Sequence, residues 1–234
     1  MKINIQPIEK KVGGDGFTLD VHSIFYTIQG EGPFTGRPAV FVRLAGCNLQ
    51  CPGCDTEYTT GRETLSIQEI TARITRSYEH VAPRHVPMIV ITGGEPFRQN
   101  LAQLCKNLTR YYHVQIETNG TLGIDDPTAF SNVDIVCSPK TGRVHYSIIS
   151  SANWYKYVLH HESVSAEDGL PIFALDHSAS PEVFRPPLGA TVYLQPMDCK
   201  DERINRLNQE AVLASCFKFG YNLQLQIHKY LEIE

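Results

Sequence analysis

Three cysteines carry the most reactive chemistry in this chain. Cys47, Cys51 and Cys54 stand at C-x3-C-x2-C spacing, directly after the apolar stretch Ala39–Leu44. Thiolates are soft ligands suited to iron–sulfur clusters, zinc or copper(I). Intervals this short let one loop wrap a compact metal centre, and Gly46 and Gly53 ease its turns. A structural zinc site is normally closed by four protein ligands, and an ordinary four-iron cluster by four cysteines. Here no fourth cysteine or histidine stands close by in sequence. Three thiolates on a cubane leave one iron open to a small molecule. Zinc with a distant fourth ligand is the competing reading, and the order strand, cysteine loop, helix favours the reactive cluster.

Other polar or glycine-rich motifs also follow apolar runs immediately. Met88–Thr92 leads into Gly93-Gly94-Glu95-Pro96, and Val114–Glu117 into Thr118-Asn119-Gly120. Val133–Cys137 leads into Ser138-Pro139-Lys140, and Thr191–Leu194 into Gln195-Pro196-Met197-Asp198. Where parallel strands alternate with helices, such positions share one rim, and ligands bind there. Taken alone, each is an ordinary turn; together they describe a site. Earlier in the chain, Val21–Ile28 reads as a strand running into Gln29-Gly30-Glu31-Gly32-Pro33. Arg43 interrupts an apolar strand, so it needs an acidic partner, a ligand carboxylate or a solvated edge.

The elements that must position these residues follow from periodicity. Met88–Thr92 is uniformly apolar, as expected of a strand buried on both faces. Ser66-Ile-Gln-Glu69 is a capping box opening a helix with Ile67, Ile70, Ile74 and Tyr78 on one face, ended by Pro83 and Pro87. A helical pattern resumes over Phe97–Tyr111, and Trp154–Leu159 is a further strand. A last helix spans about 201–218, with Ile204, Leu207, Ala211 and Ala214 aligned. Leu223–Ile227 alternates like a strand, with His228-Lys229 following. Residues 1–20 read as an irregular arm before a single domain over 21–234, and the proline-bearing stretch 160–190 as loop or short helical pieces. Neither segment has a functional reading. The expected class is α/β with a mostly parallel sheet.

Composition limits the rest. The 234 residues are 42% hydrophobic and 20% charged, values of a soluble globular domain. A net charge of −4 gives no electrostatic reason to bind nucleic acid or a membrane surface. No apolar run is long enough to span a bilayer, and Met1–Pro7 lacks a signal peptide's apolar core. Seven cysteines in that context fit reduced thiols in the cytoplasm. Cys105, Cys137, Cys199 and Cys216 sit in apolar surroundings and read as small buried hydrophobes.

With these pieces assembled, the sequence resembles the radical S-adenosylmethionine superfamily, through the cysteine triad and Gly93-Gly94-Glu95-Pro96. Within it, the chain resembles the 7-carboxy-7-deazaguanine synthase family. The shared pieces are Gln29–Gly32, Phe41–Cys47, Cys54–Thr56, Ser138–Lys140, Gln195–Asp198 and His228-Lys229, in the family's order over most of residues 21–230. The resemblance implies a partial (β/α) barrel with reduced helices and a homodimer. It also implies a [4Fe–4S] cluster, S-adenosylmethionine and Mg²⁺ acting on 6-carboxy-5,6,7,8-tetrahydropterin. In the family, a 5′-deoxyadenosyl radical takes the substrate's C6 hydrogen and the ring contracts to 7-carboxy-7-deazaguanine, releasing ammonia. The hydrogen then returns to regenerate S-adenosylmethionine.

Carried over residue by residue, the resemblance gives Cys47, Cys51 and Cys54 the cluster and Thr56 the Mg²⁺. Gly53, Cys54, Asp55, Gly94 and Glu95 would border the cofactor, with Ser138, Pro139 and Lys140. Gln195, Pro196, Met197 and Asp198 would complete that pocket. Ile28, Gln29, Gly30, Glu31, Arg43, Thr92 and His228 would hold the pterin, with Arg43 on its carboxylate. Glu234 would add the C-terminal carboxylate, although the tail offers no motif to anchor that transfer. An electron donor such as a flavodoxin is the expected protein partner. Two alternatives stand beside this. An activase of a glycyl-radical protein would use the same cysteine spacing without the Gln29–Glu31/Arg43 set. A noncatalytic zinc-binding module would need neither.

Overall fold

The structure, a computed structural model, describes residues 4–82, 84–174 and 182–233. Its strands are β1 (Thr18–Ile28), β2 (Pro38–Leu44), β3 (Glu63–Ser66), β4 (Met88–Gly93), β5 (Val114–Thr118), β6 (Val133–Cys137), β7 (Trp154–Leu159), β8 (Thr191–Pro196) and β9 (Asn222–Leu223). Its helices are α1 (Ile67–Glu79), α2 (Ala102–Leu108), α3 (Tyr146–Ser151), α4 (Glu202–Phe219) and α5 (Ile227–Leu231). One sheet holds all these strands in the order β3-β1-β2-β4-β5-β6-β7-β8-β9. From β2 to β9 every pairing is parallel, while β1 runs antiparallel to β2 and β3.

This sheet cannot be flat. Lys156 on β7 reaches Glu31, just past β1, to form an ion pair. The two strands are five steps apart, roughly 24 Å in a flat sheet at the usual strand spacing. The sheet therefore curls into an open barrel. Its gap is bridged from the far edge: Gln224 Oε1 accepts from Gly32 N at 2.7 Å, and Ile227 N donates to Gly30 O at 3.2 Å.

Alternation along each strand assigns the two faces. Val40, Val42, Leu44, Ile89, Ile91, Ile116, Ile135, Leu159 and Leu194 point outward into the main apolar core under the helices. Their neighbours in sequence, including Arg43, Thr92, Glu117, Lys156 and Gln195, point into the barrel. A smaller cluster of Ala39, Met88 and Val90, packed with Phe34 and Phe41, floors the interior.

The capping box forms as expected. Ser66 Oγ accepts from Glu69 N at 3.2 Å, and the Glu69 carboxylate accepts from Ser66 N at 2.8 Å. Several expectations need correction. β1 begins at Thr18, so the arm ends earlier than residue 20. β3 was not expected, its four residues being too few to show a period. The helix over Phe97–Tyr111 is only α2, because the backbone is extended at Gln99. There the Gln99 side chain pairs with the Asp20 backbone, at 2.7 Å to N and 2.9 Å to O. α1 ends at Glu79, before either proline, and Pro83 lies outside the described residues. On α4 the buried face is Asn208, Val212, Ser215 and Cys216, whereas Leu207 and Ala214 are exposed. Asn208 earns its place by donating to Met197 O and accepting from His161 N, both at 2.8 Å. Of the alternating stretch 223–227 only Leu223 is in a strand, β9, and α5 begins at Ile227, so His228 sits on a short helix.

Candidate active site

At the C-terminal ends of the parallel strands the barrel opens into a cavity of about 620 Å³, in the range of small-molecule sites. Cys47, Cys51 and Cys54 form one wall. Their loop is closed at its base by Gly46 N donating to Tyr58 O at 2.8 Å. The loop after β4 docks directly on that base: Gly94 N donates to Leu44 O at 3.2 Å and Glu95 N to Gly46 O at 3.0 Å. A Cβ on Gly94 would lie 2.0 Å from Gly46 O, so no other residue fits without moving one loop. Glu95 then ties this loop to the next, accepting from Thr118 Oγ1 at 2.7 Å, Asn119 N at 2.8 Å and Phe97 N at 3.0 Å.

The thiols suit a metal centre that arrives from solution. None is in a disulfide. Burial pushes the Cys47 thiol up to about 12 and raises Cys54 as well, so it takes a metal cation to draw off their protons. Three soft thiol donors on one wall of the cavity suit an iron–sulfur cluster.

The opposite wall is polar and charged. Glu31 pairs with Lys156 and accepts from Gln226 Nε2 at 2.6 Å. Burial is the largest single influence on Glu31 and acts to raise its pKa, but the Lys156 charge together with the bonds from Lys156 and Gln226 outweighs it and holds the carboxyl well below its usual range. Burial likewise works against the Lys156 ammonium, and Glu31 and then Glu117 more than offset it, leaving its pKa raised. Glu117 accepts from Gln115 at 3.0 Å, Gln29 at 3.1 Å and Thr92 at 3.3 Å. The Arg43 guanidinium lies 5.0 Å from the centre of the Phe25 ring, a cation–π contact. Gly30 packs against His228, whose Nδ1 lies 2.2 Å from where a Cβ would be. Between the walls, Lys140 Nζ donates to Ser138 Oγ at 2.7 Å. Asp198 accepts from Lys200 at 2.7 Å and Lys229 at 2.9 Å, and its carboxyl is held well below its usual range by Lys200 first. Soft sulfur donors thus face a set of hydrogen-bonding and charged groups across one small volume.

A family model described as a 4Fe-4S single cluster domain matches residues 28–122, which contain the cysteine loop and the Gly94 turn. The chain is 40% identical over 227 residues to the 7-carboxy-7-deazaguanine synthase of Rhodospirillum rubrum, covering 94% of each chain. It is 38% identical over 235 residues to the same enzyme of Rickettsia prowazekii, covering 97% of this chain and 94% of the relative. This chain belongs to the 7-carboxy-7-deazaguanine synthase family. The fold agrees. The crystal structure of QueE from Escherichia coli superposes with a TM-score of 0.65 at 25% identity, over 89% of this chain and 94% of that one. The family's members are radical S-adenosylmethionine lyases, which sets aside the activase and zinc-module alternatives.

Most residues expected in the site do line the cavity: the three cysteines, Gly53, Asp55, Thr56, Ile28, Gln29, Gly30, Glu31, Arg43, Thr92 and Gly94 on one side of the chain's order, and Ser138, Lys140, Gln195, Met197, Asp198 and His228 on the other. Glu95, Pro139 and Pro196 are not among its walls, and Glu95 is fully buried as the brace between loops. Glu234 lies outside the described residues. Sequence reasoning missed Lys156, Glu117, Gln115 and Gln226. The first three had a signal: in Val114-Gln-Ile-Glu117 and Tyr155-Lys-Tyr157 a polar residue alternates with apolar ones. Gln226 alternates in the same way within Leu223–Ile227, but only the curl of the sheet brings it to Glu31.

Proposed function

We propose that this chain converts 6-carboxy-5,6,7,8-tetrahydropterin to 7-carboxy-7-deazaguanine and ammonia. The observation that carries the proposal is one cavity with three cysteine thiols on one wall and Glu31, Glu117, Lys156 and Arg43 on the other. Cys47, Cys51 and Cys54 would hold a [4Fe–4S] cluster, and the pocket edge at Gly53, Asp55, Gly94, Ser138, Lys140, Gln195, Met197 and Asp198 would hold S-adenosylmethionine. When bound, the cluster and S-adenosylmethionine supply the electron and the radical that start the ring contraction.

The chain's own residues bind, orient and exclude water. Arg43, held against the Phe25 ring, offers two parallel N–H donors to the substrate carboxylate. Glu31 and Glu117 are acceptors for ring and amino N–H groups, and Gln29 offers both a donor and an acceptor. Lys156 keeps Glu31 ionised, so that it receives rather than gives a proton in those bonds. Thr92, Ile28 and His228 complete the substrate side. The Thr56 hydroxyl, 3.3 Å from Asp55 Oδ1, supplies a hard oxygen for Mg²⁺. The proposal extends to a homodimer working in the cytoplasm with a flavodoxin-like electron donor. Among the described residues, no helix is long and apolar enough to cross a membrane.

The test is anaerobic turnover by reconstituted protein with S-adenosylmethionine, Mg²⁺, reductant and the tetrahydropterin, followed by mass spectrometry. 7-Carboxy-7-deazaguanine without matching loss of S-adenosylmethionine is the expected result. 5′-Deoxyadenosine alone would leave the radical chemistry standing and remove the substrate.

A further inference from the structure

The N-terminal arm lies against the cysteine loop rather than trailing from the domain. Gln6 places its side-chain amide on the loop as a peptide unit would. Its Nε2 donates to Thr56 O at 2.9 Å, and its Oε1 accepts from Tyr58 N at 2.9 Å. Gln50, between the first and second cysteines, donates to Gln6 O at 2.7 Å. Asn4 Nδ2 donates to Cys51 O at 3.2 Å and lies 3.4 Å from the Tyr58 hydroxyl. Asn4 Oδ1 accepts from the Gln6 backbone N at 3.0 Å and from Gln6 Nε2 at 3.3 Å, and the second bond ties the two side chains together. Glu9 N donates to Cys47 O at 2.7 Å, where Ile8 and Cys47 form a parallel bridge. The arm thus touches the loop at its first cysteine, its second, and just beyond its third.

The arm is itself anchored. Glu9 takes a two-pronged contact from Arg62, at 2.5 and 3.1 Å, and a further one from the buried Arg98 at 3.3 Å. Arg98 also donates to Lys10 O at 3.3 Å and Ala45 O at 3.0 Å, bridging arm and loop base. Beyond these contacts, Lys11 pairs with the exposed Asp125, away from the cysteine loop.

We infer that residues 4–9 are a strap that holds the cysteine loop in its cluster-binding shape, with Gln6 and Asn4 as positioning residues for the cluster. Within the loop, Cys54 N to Cys51 O at 3.4 Å is the one short-range backbone–backbone bond among those described, beside Cys54 Sγ to Thr56 O at 3.7 Å and the Tyr58 hydroxyl to Leu49 O at 3.5 Å. The strap supplies what the loop lacks, fixing three carbonyls and one amide whose positions set where the thiolates point. Asn4 also faces the cavity wall beside Cys51, so it shapes the polarity around the second cluster ligand, and hydrogen bonding and solvent exposure tune a cluster's potential. The inference rests on the three cysteines being the cluster ligands.

The experiment reconstitutes the full chain with iron and sulfide under anaerobic conditions. It compares wild type with Gln6→Ala, Asn4→Ala, and Lys11→Ala as an arm substitution away from the loop. Iron release to a chelator, the cluster's reduction potential and the EPR signal of the reduced cluster are measured. Gln6→Ala removes two bonds, so iron release on the order of tenfold faster is expected, with a shifted potential and EPR signal. Asn4→Ala is expected to move in the same direction by less, and Lys11→Ala to match wild type. Wild-type release and potential in both Gln6→Ala and Asn4→Ala would overturn the strap. So would equal acceleration in Lys11→Ala, which would mean loosening of the arm in general. If Gln6→Ala fails to fold, Asn4→Ala decides. Wild-type protein that takes up no iron would instead overturn the cluster assignment, and the strap with it.

Discussion

Lys156→Met tests the charge arrangement on the substrate wall. The substitution keeps the aliphatic stem and deletes the ammonium that pairs with Glu31. Both side chains are nearly enclosed, at 11% and 15% exposure, so solvent replaces little of what is lost. Removing one partner of a buried pair costs about 3–5 kcal/mol; the Gln226 bond to Glu31 survives, which points to roughly 3 kcal/mol here. Glu31→Gln is expected to destabilise the fold too, by leaving the Lys156 charge without its partner. The double variant should lose clearly less than the sum of the singles, with a coupling of roughly 2 kcal/mol. Urea unfolding of the cluster-free protein at pH 7 measures all three. The pH dependence adds a second check. In wild type the lowered Glu31 pKa contributes stability above its unfolded value of 4.5, and this is lost as pH falls below it. In Lys156→Met, burial loses its main opponent while the Gln226 bond remains, and the Glu31 pKa rises, so the variant should recover stability as pH falls toward 4.5. Additive losses, or a deficit independent of pH, would refute a coupled buried pair.

Three further outcomes follow from the geometry. Burial raises Glu95 to about 7 despite three bonds that favour its ionised form. Between pH 4.5 and 7 the folded state therefore holds more protons, and Glu95 makes stability fall as pH rises; Glu95→Gln should flatten that slope in denaturation measured from pH 5 to 8. Arg43→Ala should leave iron content unchanged and weaken substrate binding on the order of a hundredfold, read by titration of the reconstituted protein with the tetrahydropterin; unchanged affinity would remove Arg43 from the carboxylate. Gly94→Ala forces a Cβ to within 2.0 Å of Gly46 O. It should lower stability by roughly 2–3 kcal/mol and reduce iron retention, both measurable on the same preparation.

The sequence by itself determined the chemistry and the class of fold. Cysteine spacing, motifs placed just after apolar runs, and the capping box at Ser66 are local features, written within a few residues of one another. They specified the sulfur donors, the parallel strands and the rim where ligands bind. Strands β6 and β7 have the bounds expected from their β-branched and aromatic runs. Short or mixed pieces did not declare themselves. β3 is too brief for a period, and the stretch after Leu223 alternates yet turns into α5 because the chain there returns to Gly30.

What only the tertiary structure decided is which distant residues meet. Curling of the sheet brings Lys156 to Glu31, and Gln226 to the same carboxylate, across separations of more than a hundred residues. The arm's role arises in the same way, since Gln6 and Asn4 carry no motif and act mainly through backbone atoms of the cysteine loop. A side chain that bonds to backbone can serve any sequence that presents the same carbonyls and amides. Its partner therefore leaves no mark on the residues around it, and only the path of the chain reveals the pair.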